Sequence, residues 1–349
     1  MATDCIAYTH DQPNERVSIT VCVPVYNVKE YLRECLDSLF SQDYPSFDVV
    51  MVDDGSTDGS GDICDEYATT FAGRARVVHW SNQGTFLARR EAISKANGDY
   101  IMCVDSDDML LPGALSAVSA AIERTHADVV LFGFTRVRDE LCRVSAEVPM
   151  RAACCGGKVE LLQSLCRSTD GSQNPMAFKA VRRECIADDE NYSKLKGLTF
   201  AEDFLQTLFV YDRSDSFCFL DAPLYYYRTG SGITKSYDPH FYRAVCLCLD
   251  YAEGFAANWE RKYHCSGLLA GLAACRLDSA AQYAEYIAKT GGIFELNELS
   301  ASEDFVRCLK VADLRLLRWD RRIAIFAIRH QSLGLLKSLS LARSLRHSK

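Results

Sequence analysis

Val49-Val50-Met51-Val52-Asp53-Asp54-Gly55-Ser56-Thr57-Asp58 and Ile101-Met102-Cys103-Val104-Asp105-Ser106-Asp107-Asp108 share one design, an apolar run of four residues that opens into a cluster of carboxylates. Such a run, bounded by turn residues, suits a buried strand, so each acidic cluster should leave the carboxyl end of its strand. In open α/β sheets that edge binds ligands. Carboxylates converging there repel one another and resist desolvation unless a cation or hydrogen-bond donors compensate. A metal-bound, polyhydroxylated nucleotide supplies both.

Outward from these two segments, strand and helix patterns alternate from Val17 to Phe134. Strands are predicted at Ser18–Val23, Asp48–Val52, Ala75–Trp80, Tyr100–Val104 and Val129–Phe134. Between the first two, Val28, Tyr31, Leu32, Cys35, Leu36 and Leu39 keep the spacing of one buried helical face, with Asn27 and Glu30 placed as a capping pair. A helix over Thr85–Asn97 is expected to stop at Gly98 in the left-handed conformation. Repeated βα units predict a mostly parallel, Rossmann-like α/β sheet flanked by helices. After Phe134 the alternation weakens: a helix is predicted at Val159–Arg167, a loop at Ser168–Pro175, a helix from Ala201 to Tyr211 and a strand at Phe217–Leu220. From His240 onward Ala, Leu, Cys and Tyr dominate, which predicts an α-helical C-terminal appendage. The domain reading is an N-terminal extension over 1–16, an α/β domain over 17–238 with halves at 17–134 and 135–238, and a helical region over 239–349.

With 349 residues, 48% of them apolar and 25% charged, the chain can bury a large core. Residues 1–10 lack the basic and apolar regions of a secretory signal, and the sixteen cysteines follow neither disulfide nor zinc spacing. Reduced thiols in the cytoplasm are the expectation. The net charge is −8, yet from Phe305 onward eleven Lys/Arg face two Asp, so this tail carries +9 and the remainder −17. No apolar run approaches the ~20 residues of a membrane-spanning helix. The acidic body disfavours nucleic acid. The tail, where Leu, Ile, Trp319 and Phe326 interleave with arginines, suits an anionic membrane surface, packing on the body or contact with a second copy.

The motif chemistry starts at the first strand, which ends in Pro24-Val25-Tyr26-Asn27. Pro24 should end ladder pairing there, and Tyr26 could offer a flat face to a nucleotide base. Either Asp53 or Asp54 could accept from a uracil ring N–H, and Asp58 is expected to cap the following helix. In Asp105-Ser106-Asp107 an extended segment would set both carboxylates on one side, roughly 6 to 7 Å apart. One could hold ribose hydroxyls and the other Mg²⁺ or Mn²⁺, since hard cations take oxygen ligands. Asp108 is expected to cap a helix starting near Pro112. Each motif alone is more often a turn and a helix cap than a site.

Together, in order and spacing, Pro24-Val25-Tyr26-Asn27, Asp53-Asp54-Gly55-Ser56-Thr57-Asp58, Asn82-Gln83-Gly84 with Ala88-Arg89, and Asp105-Ser106-Asp107-Asp108 resemble the family-2 glycosyltransferases of GT-A fold, of the bacterial surface-polysaccharide type. The resemblance is close over Val17–Phe134 and looser to Ser236. It implies an inverting enzyme that moves one sugar from a UDP-sugar, with a divalent metal, to a saccharide or lipid-linked saccharide. It further implies Asp54 as the base-binding acid, Asp105 as the ribose-side acid, Asp107 as metal ligand and Arg89 near the nucleotide, although the usual asparagine after it is Arg90 here. Asp203 in Ala201-Glu202-Asp203-Phe204 resembles the family's catalytic base, with Glu202 next in line, and a helix N-terminus there favours the ionised carboxylate. Leu224-Tyr225-Tyr226-Tyr227-Arg228, with Ser231, Ile233 and Thr234, resembles the segment that meets the diphosphate, where Arg228 could stabilise the leaving group. The QxxRW signature of processive synthases is absent, which favours transfer of a single sugar. Two competing functions are a catalytically inactive nucleotide-sugar-binding scaffold and a sugar-nucleotide nucleotidyltransferase. The latter would need a glycine-rich phosphate loop that Pro24–Asn27 does not offer.

Overall fold

The computed structural model describes residues 16–137, 150–153, 155–167, 175–186, 195, 198, 200–229, 240–290 and 292–347. Its frame is a sheet in which β1 (Ile19–Val25), β2 (Phe47–Asp53), β3 (Ala75–His79) and β4 (Tyr100–Cys103) run parallel in the order β3-β2-β1-β4. All seven residues of β1 are buried, as near-continuous apolar strands covered on both faces should be. Pro24 does not end the ladder: pairing continues through Pro24 opposite Val52 to Val25 opposite Asp53.

Past β4 the sheet becomes mixed. β5 (Met109–Leu110), β6 (Val129–Thr135), β7 (Met150–Ala153), β8 (Lys179–Arg182) and β9 (Phe217–Tyr226) complete nine strands among the described residues. β8 inserts antiparallel between β4 and β6, while β6 and β9 pair in parallel. The parallel order expected for the first four strands therefore holds, and the strands beyond come from the stretch where sequence alternation fades.

Helices cover both faces. α1 (Lys29–Phe40), α2 (Ser60–Thr70) and α4 (Ala114–Thr125) pack one side, with Leu32, Cys35, Leu36 and Leu39 of α1 buried there. α3 (Thr85–Ser94), α5 (Cys155–Arg167), the short α6 (Arg183–Ile186) and α7 (Glu202–Arg213) take the other. The Asn27–Glu30 capping pair does not form. Asn27 instead lies in the left-handed region at φ 48° and its Oδ1 accepts from the Thr57 N–H at 2.8 Å. Asp58 does more than cap the next helix. One carboxylate oxygen accepts from Ser60 N–H and the other from Lys29 N–H, both at 2.9 Å, so it serves the first turns of α2 and α1 together. Gly98 is not left-handed either. It is required because a Cβ there would meet the Thr20 backbone nitrogen at 2.6 Å.

The C-terminal region is helical as expected: α8 (His240–Lys262), α9 (Leu268–Thr290), α10 (Ile293–Ala301), α11 (Glu303–Val311), α12 (Trp319–Arg329) and α13 (Leu333–His347). The core crosses residue 239 without a break. Trp259 of α8 is fully buried among residues of α7 and β9, and its indole N–H donates to Asp212 at 2.6 Å. α12 and α13 pack around α9 through Ile325, Ile328 and Leu336, while Arg321 pairs with Asp278 and Glu285. Trp319, Phe326 and Leu341 stay exposed. No helix among the described residues is long and apolar enough to cross a membrane. Twelve of the cysteines described are free thiols, mostly buried; Cys154, Ser231, Ile233 and Thr234 lie outside the described residues.

Because α8 completes the core of the sheet's second face, Trp259→Ala should destabilise the whole fold by about 3–5 kcal/mol. Urea unfolding followed by tryptophan fluorescence and by circular dichroism checks this. A loss below about 1 kcal/mol would mean that α8 folds as a separate body.

Candidate active site

At the carboxyl ends of β1, β2 and β4 the chain opens into a cleft of about 900 Å³. Pro24, Tyr26, Asp54, Arg89, Asp105, Asp107, Asp203 and Arg228 all line it, with Glu202 beside Asp203. Eight of the nine residues expected at the site are thus brought together, across some 200 residues of chain. Asp53 is not. Its carboxylate is buried and engaged on both oxygens, Oδ1 with the Ser56 N–H at 3.0 Å and Oδ2 with His79 Nδ1 at 2.9 Å. Asp54 takes the cleft side, and its two oxygens accept from the Gln83 and Gly84 N–H groups at 2.8 Å each.

Arg89 joins the two halves of the site. Its side chain is only 2% exposed, and its two terminal nitrogens donate to Asp203 Oδ1 at 2.5 Å and to Asp105 Oδ1 at 2.9 Å. The next residue, Arg90, turns away and donates to the Ile186 carbonyl at 3.1 Å. α7 starts from Ala201, which holds the left-handed conformation at φ 59°. For a residue with a Cβ this costs about 1–2 kcal/mol. Strain of this kind concentrates at functional sites, and here it sets the direction of the Glu202-Asp203 pair.

The electrostatics follow from crowding. Burial pushes the Asp203 carboxyl up, Arg89 pulls it down and Asp105 pushes it up again, leaving it above the ordinary carboxylate range. Burial and then the Asp203 charge push Glu202 up as well. A carboxyl raised toward neutrality and placed at a helix N-terminus is suited to accept a proton. Lys179 stands behind them, fully buried, its ammonium donating to the Pro175 carbonyl at 2.7 Å and to Thr207 Oγ1 at 3.0 Å. Burial pulls this lysine down to about 7, against the pull of Asp203.

The second acidic cluster is a turn, not an extended segment: the Asp108 N–H donates to the Asp105 carbonyl at 3.0 Å. Strand alternation therefore does not set the directions of Asp105 and Asp107. Nor does Asp108 cap a helix, since α4 starts after Gly113. Asp108 is buried, accepts from the Tyr225 hydroxyl at 2.8 Å and from the Arg228 N–H at 2.7 Å, and so ties β9 to the acidic turn. Arg228 donates to the Asp107 carbonyl at 2.8 Å and to Glu34 at 2.5 Å, with its guanidinium 4.8 Å from the Tyr31 ring centroid. Among the described residues no group of three or more His, Cys, Asp or Glu is arranged to hold a metal ion. Asp107 lines the cleft with a carboxylate, the donor type a hard cation takes alongside phosphate and water.

Residues 20–144 match the model of glycosyl transferase family 2. This stretch is a family-2 glycosyltransferase domain. Glycosyltransferase GlyG of Streptococcus pneumoniae is 40% identical over 114 residues, 32% of this chain and 38% of that protein. EpsJ of Bacillus subtilis, an uncharacterised glycosyltransferase, is 29% identical over 210 residues, 60% of each chain. The poly(ribitol-phosphate) beta-N-acetylglucosaminyltransferase TarS of Staphylococcus aureus is 29% identical over 215 residues, 61% of this chain and 36% of TarS. The chain thus spans less than two thirds of these relatives. The solved structure of TarS residues 1–349 with UDP-GlcNAc superposes with a TM-score of 0.62 at 21% identity, covering 95% of this chain and 92% of that one. The likeness establishes a GT-A fold that extends through the C-terminal helices.

Sequence reasoning missed the residues that support the site from behind. Neither Lys179 nor Glu34 belongs to any motif that the sequence singles out. Tyr225 reads as one of three consecutive tyrosines, with nothing to mark it as the one bonded to Asp108. The role of Asp53 was equally hidden, because its partner His79 lies at the end of the third strand.

His79 links Asp53 to Asp65, with Nε2 3.0 Å from the latter. Hydrogen bonds to Asp65 and then Asp53 raise the imidazole above its ordinary 6.5. A raised folded-state value means that the contribution is complete below the unfolded value and is lost as pH rises through the folded one. His79→Leu should therefore lower the melting temperature most near pH 6, with the gap to the parent protein closing as pH rises into the alkaline range. Thermal melts of both proteins across that range check it, and a gap independent of pH would remove the charged imidazole from the turn.

Proposed function

We propose that this chain is an inverting glycosyltransferase that moves a single sugar from a UDP-sugar to a saccharide or lipid-linked saccharide acceptor, in cell-surface polysaccharide synthesis on the cytoplasmic side of the membrane. One observation carries the reading: buried Arg89 holds Asp105, the expected donor-side acid, and Asp203, the expected base, in one cleft. The UDP-GlcNAc in the TarS structure and the N-acetylglucosaminyl transfer in that protein's name support a UDP-sugar donor, N-acetylglucosamine first among those to test.

In this mechanism Tyr26 and Asp54 face the uracil, and Asp105 the ribose. Asp107 would hold a divalent cation, which would neutralise charge on the diphosphate. Asp203 accepts the proton of the acceptor hydroxyl as its oxygen attacks the anomeric carbon. The bond from that carbon to the diphosphate oxygen breaks on the opposite face, and the electron pair leaves with UDP. Arg228, packed against the Asp107 carbonyl, adds positive potential on the leaving-group side. The exposed Trp319 and Phe326, among the basic helices α12 and α13, support contact with an anionic membrane or a second copy.

The experiment is calorimetric titration of UDP-N-acetylglucosamine with Mn²⁺ and with a chelator, followed by transfer and hydrolysis assays. Asp203→Asn should bind the donor as the parent protein does while losing about 10²- to 10⁴-fold in transfer, the usual contribution of a general base. Chelation should weaken binding in both. Donor binding with neither transfer nor hydrolysis in the parent protein would favour the inactive-scaffold reading, and transfer by Asp203→Asn within a few-fold would move the base to Glu202.

A further inference from the structure

The β6–β9 pair carries a feature that the donor site does not use. Its register shifts twice, between Phe132 and Gly133 and between Gly133 and Phe134. Gly133 approaches β9 so closely that a Cβ there would lie 3.2 Å from the Ala222 carbonyl oxygen. Bulges next to active sites re-aim side chains, and this one leaves Phe134 exposed by 40% while Thr135 is buried. The Phe134 ring stacks on Phe178, with centroids 4.6 Å apart and planes 14° apart, and meets Tyr227 edge-on at 6.0 Å. Phe178 is braced in turn by Tyr225, edge-on at 5.1 Å.

Arg136 rests on this aromatic seat, its guanidinium 5.3 Å from the Phe134 centroid and 5.4 Å from that of Tyr227. Arg136 is exposed and has no carboxylate partner among the described residues. The other two arginines of the site are already engaged by carboxylates, Arg89 by Asp105 and Asp203 and Arg228 by Glu34. Tyr227 belongs to both places, since it also lines the donor cleft. The seat therefore adjoins the reaction centre on the β6–β9 side, away from Pro24, Tyr26 and Asp54.

We propose that Arg136, seated on Phe134 and Tyr227, binds a phosphate group carried by the acceptor. A guanidinium stacked on aromatic faces is pre-organised, so it loses little freedom on binding, and its planar fork matches a phosphate in two parallel hydrogen bonds. The acidic residues of the cleft repel a second anion from the donor side, which leaves this fork as the place where an anionic acceptor gains charge complementarity. The acceptor is thereby a phosphate-bearing saccharide or polyol chain, anchored beside the cleft that holds Asp203. This rests on the glycosyltransferase reading above and specifies its acceptor.

The test uses the full chain saturated with UDP and Mn²⁺, so that the donor's diphosphate site is filled, and titrates it with a short ribitol-phosphate oligomer, with ribitol as the uncharged control. The parent protein should bind the oligomer and not ribitol, and more weakly as salt is added. Arg136→Gln should weaken oligomer binding roughly tenfold, about 1.4 kcal/mol, and Phe134→Ala should weaken it in the same direction by loosening the seat. UDP affinity within about twofold of the parent shows that each variant is folded. Oligomer affinity unchanged in Arg136→Gln, or an oligomer that the UDP-binding parent ignores, overturns the phosphate subsite and leaves the donor reading standing. A parent protein that neither binds UDP nor hydrolyses UDP-N-acetylglucosamine overturns the donor reading itself, and the subsite with it.

Discussion

The site depends on one buried cation that must satisfy two carboxylates at once. Arg89 comes from the third helix, Asp105 from the turn after the fourth strand and Asp203 from a helix a hundred residues later, and the guanidinium touches both acids through separate nitrogens. Bringing such charges out of water is expensive, and removing one partner of a buried set typically costs about 3–5 kcal/mol. The arrangement is therefore close to all-or-none. With Arg89 in place, Asp105 and Asp203 occupy fixed positions in one cleft. Without it, the two carboxylates lose the charge that offsets their burial.

A second set of contacts closes the ring from the opposite side. Tyr225 of β9 and Arg228 just beyond it reach to Asp108 and to the Asp107 carbonyl, so the acidic turn is held between Arg89 on one flank and the end of β9 on the other. Lys179 anchors α7 through Thr207 and the chain at Pro175, directly behind Asp203. Hydrogen bonds of this kind lock the first layer of residues by fixing the second, which is how a site keeps its geometry without a bound ligand. The helices beyond residue 239 belong to the same body, because Trp259 fills the core on the face that carries α3 and α7.

Most of the first half of the fold was legible in the sequence. Apolar runs ending in acidic turns located β2, β4 and the cleft edge, and the heptad-like spacing from Val28 to Leu39 gave α1, although Tyr31 faces the cleft beside Arg228 instead of the core. The errors share a physical cause. Asn27, Asp108 and Gly98 are read from neighbours along the chain, whereas their actual partners are Thr57, Tyr225 and Thr20, all distant in sequence. The same limit separates Asp53 from Asp54: both emerge from one strand, but only a third element, the Gln83–Gly84 turn or His79, decides which of them faces the cleft. The mixed second half of the sheet, with β8 antiparallel between β4 and β6, has no local sequence signature at all.

The most direct measurement is the pH dependence of sugar transfer from UDP-N-acetylglucosamine at saturating donor, compared between the parent protein and Arg89→Lys. Lysine is a point charge that cannot reach both acids with separate nitrogens, so Asp203 loses part of the charge that holds it ionised and its carboxyl rises further. The expected result is a rate at neutral pH lower by roughly tenfold or more, with the acid limb displaced to higher pH and the rate recovering as pH rises. A profile superimposable on that of the parent protein, in rate and in position, would contradict the coupling of Asp105 and Asp203 through Arg89.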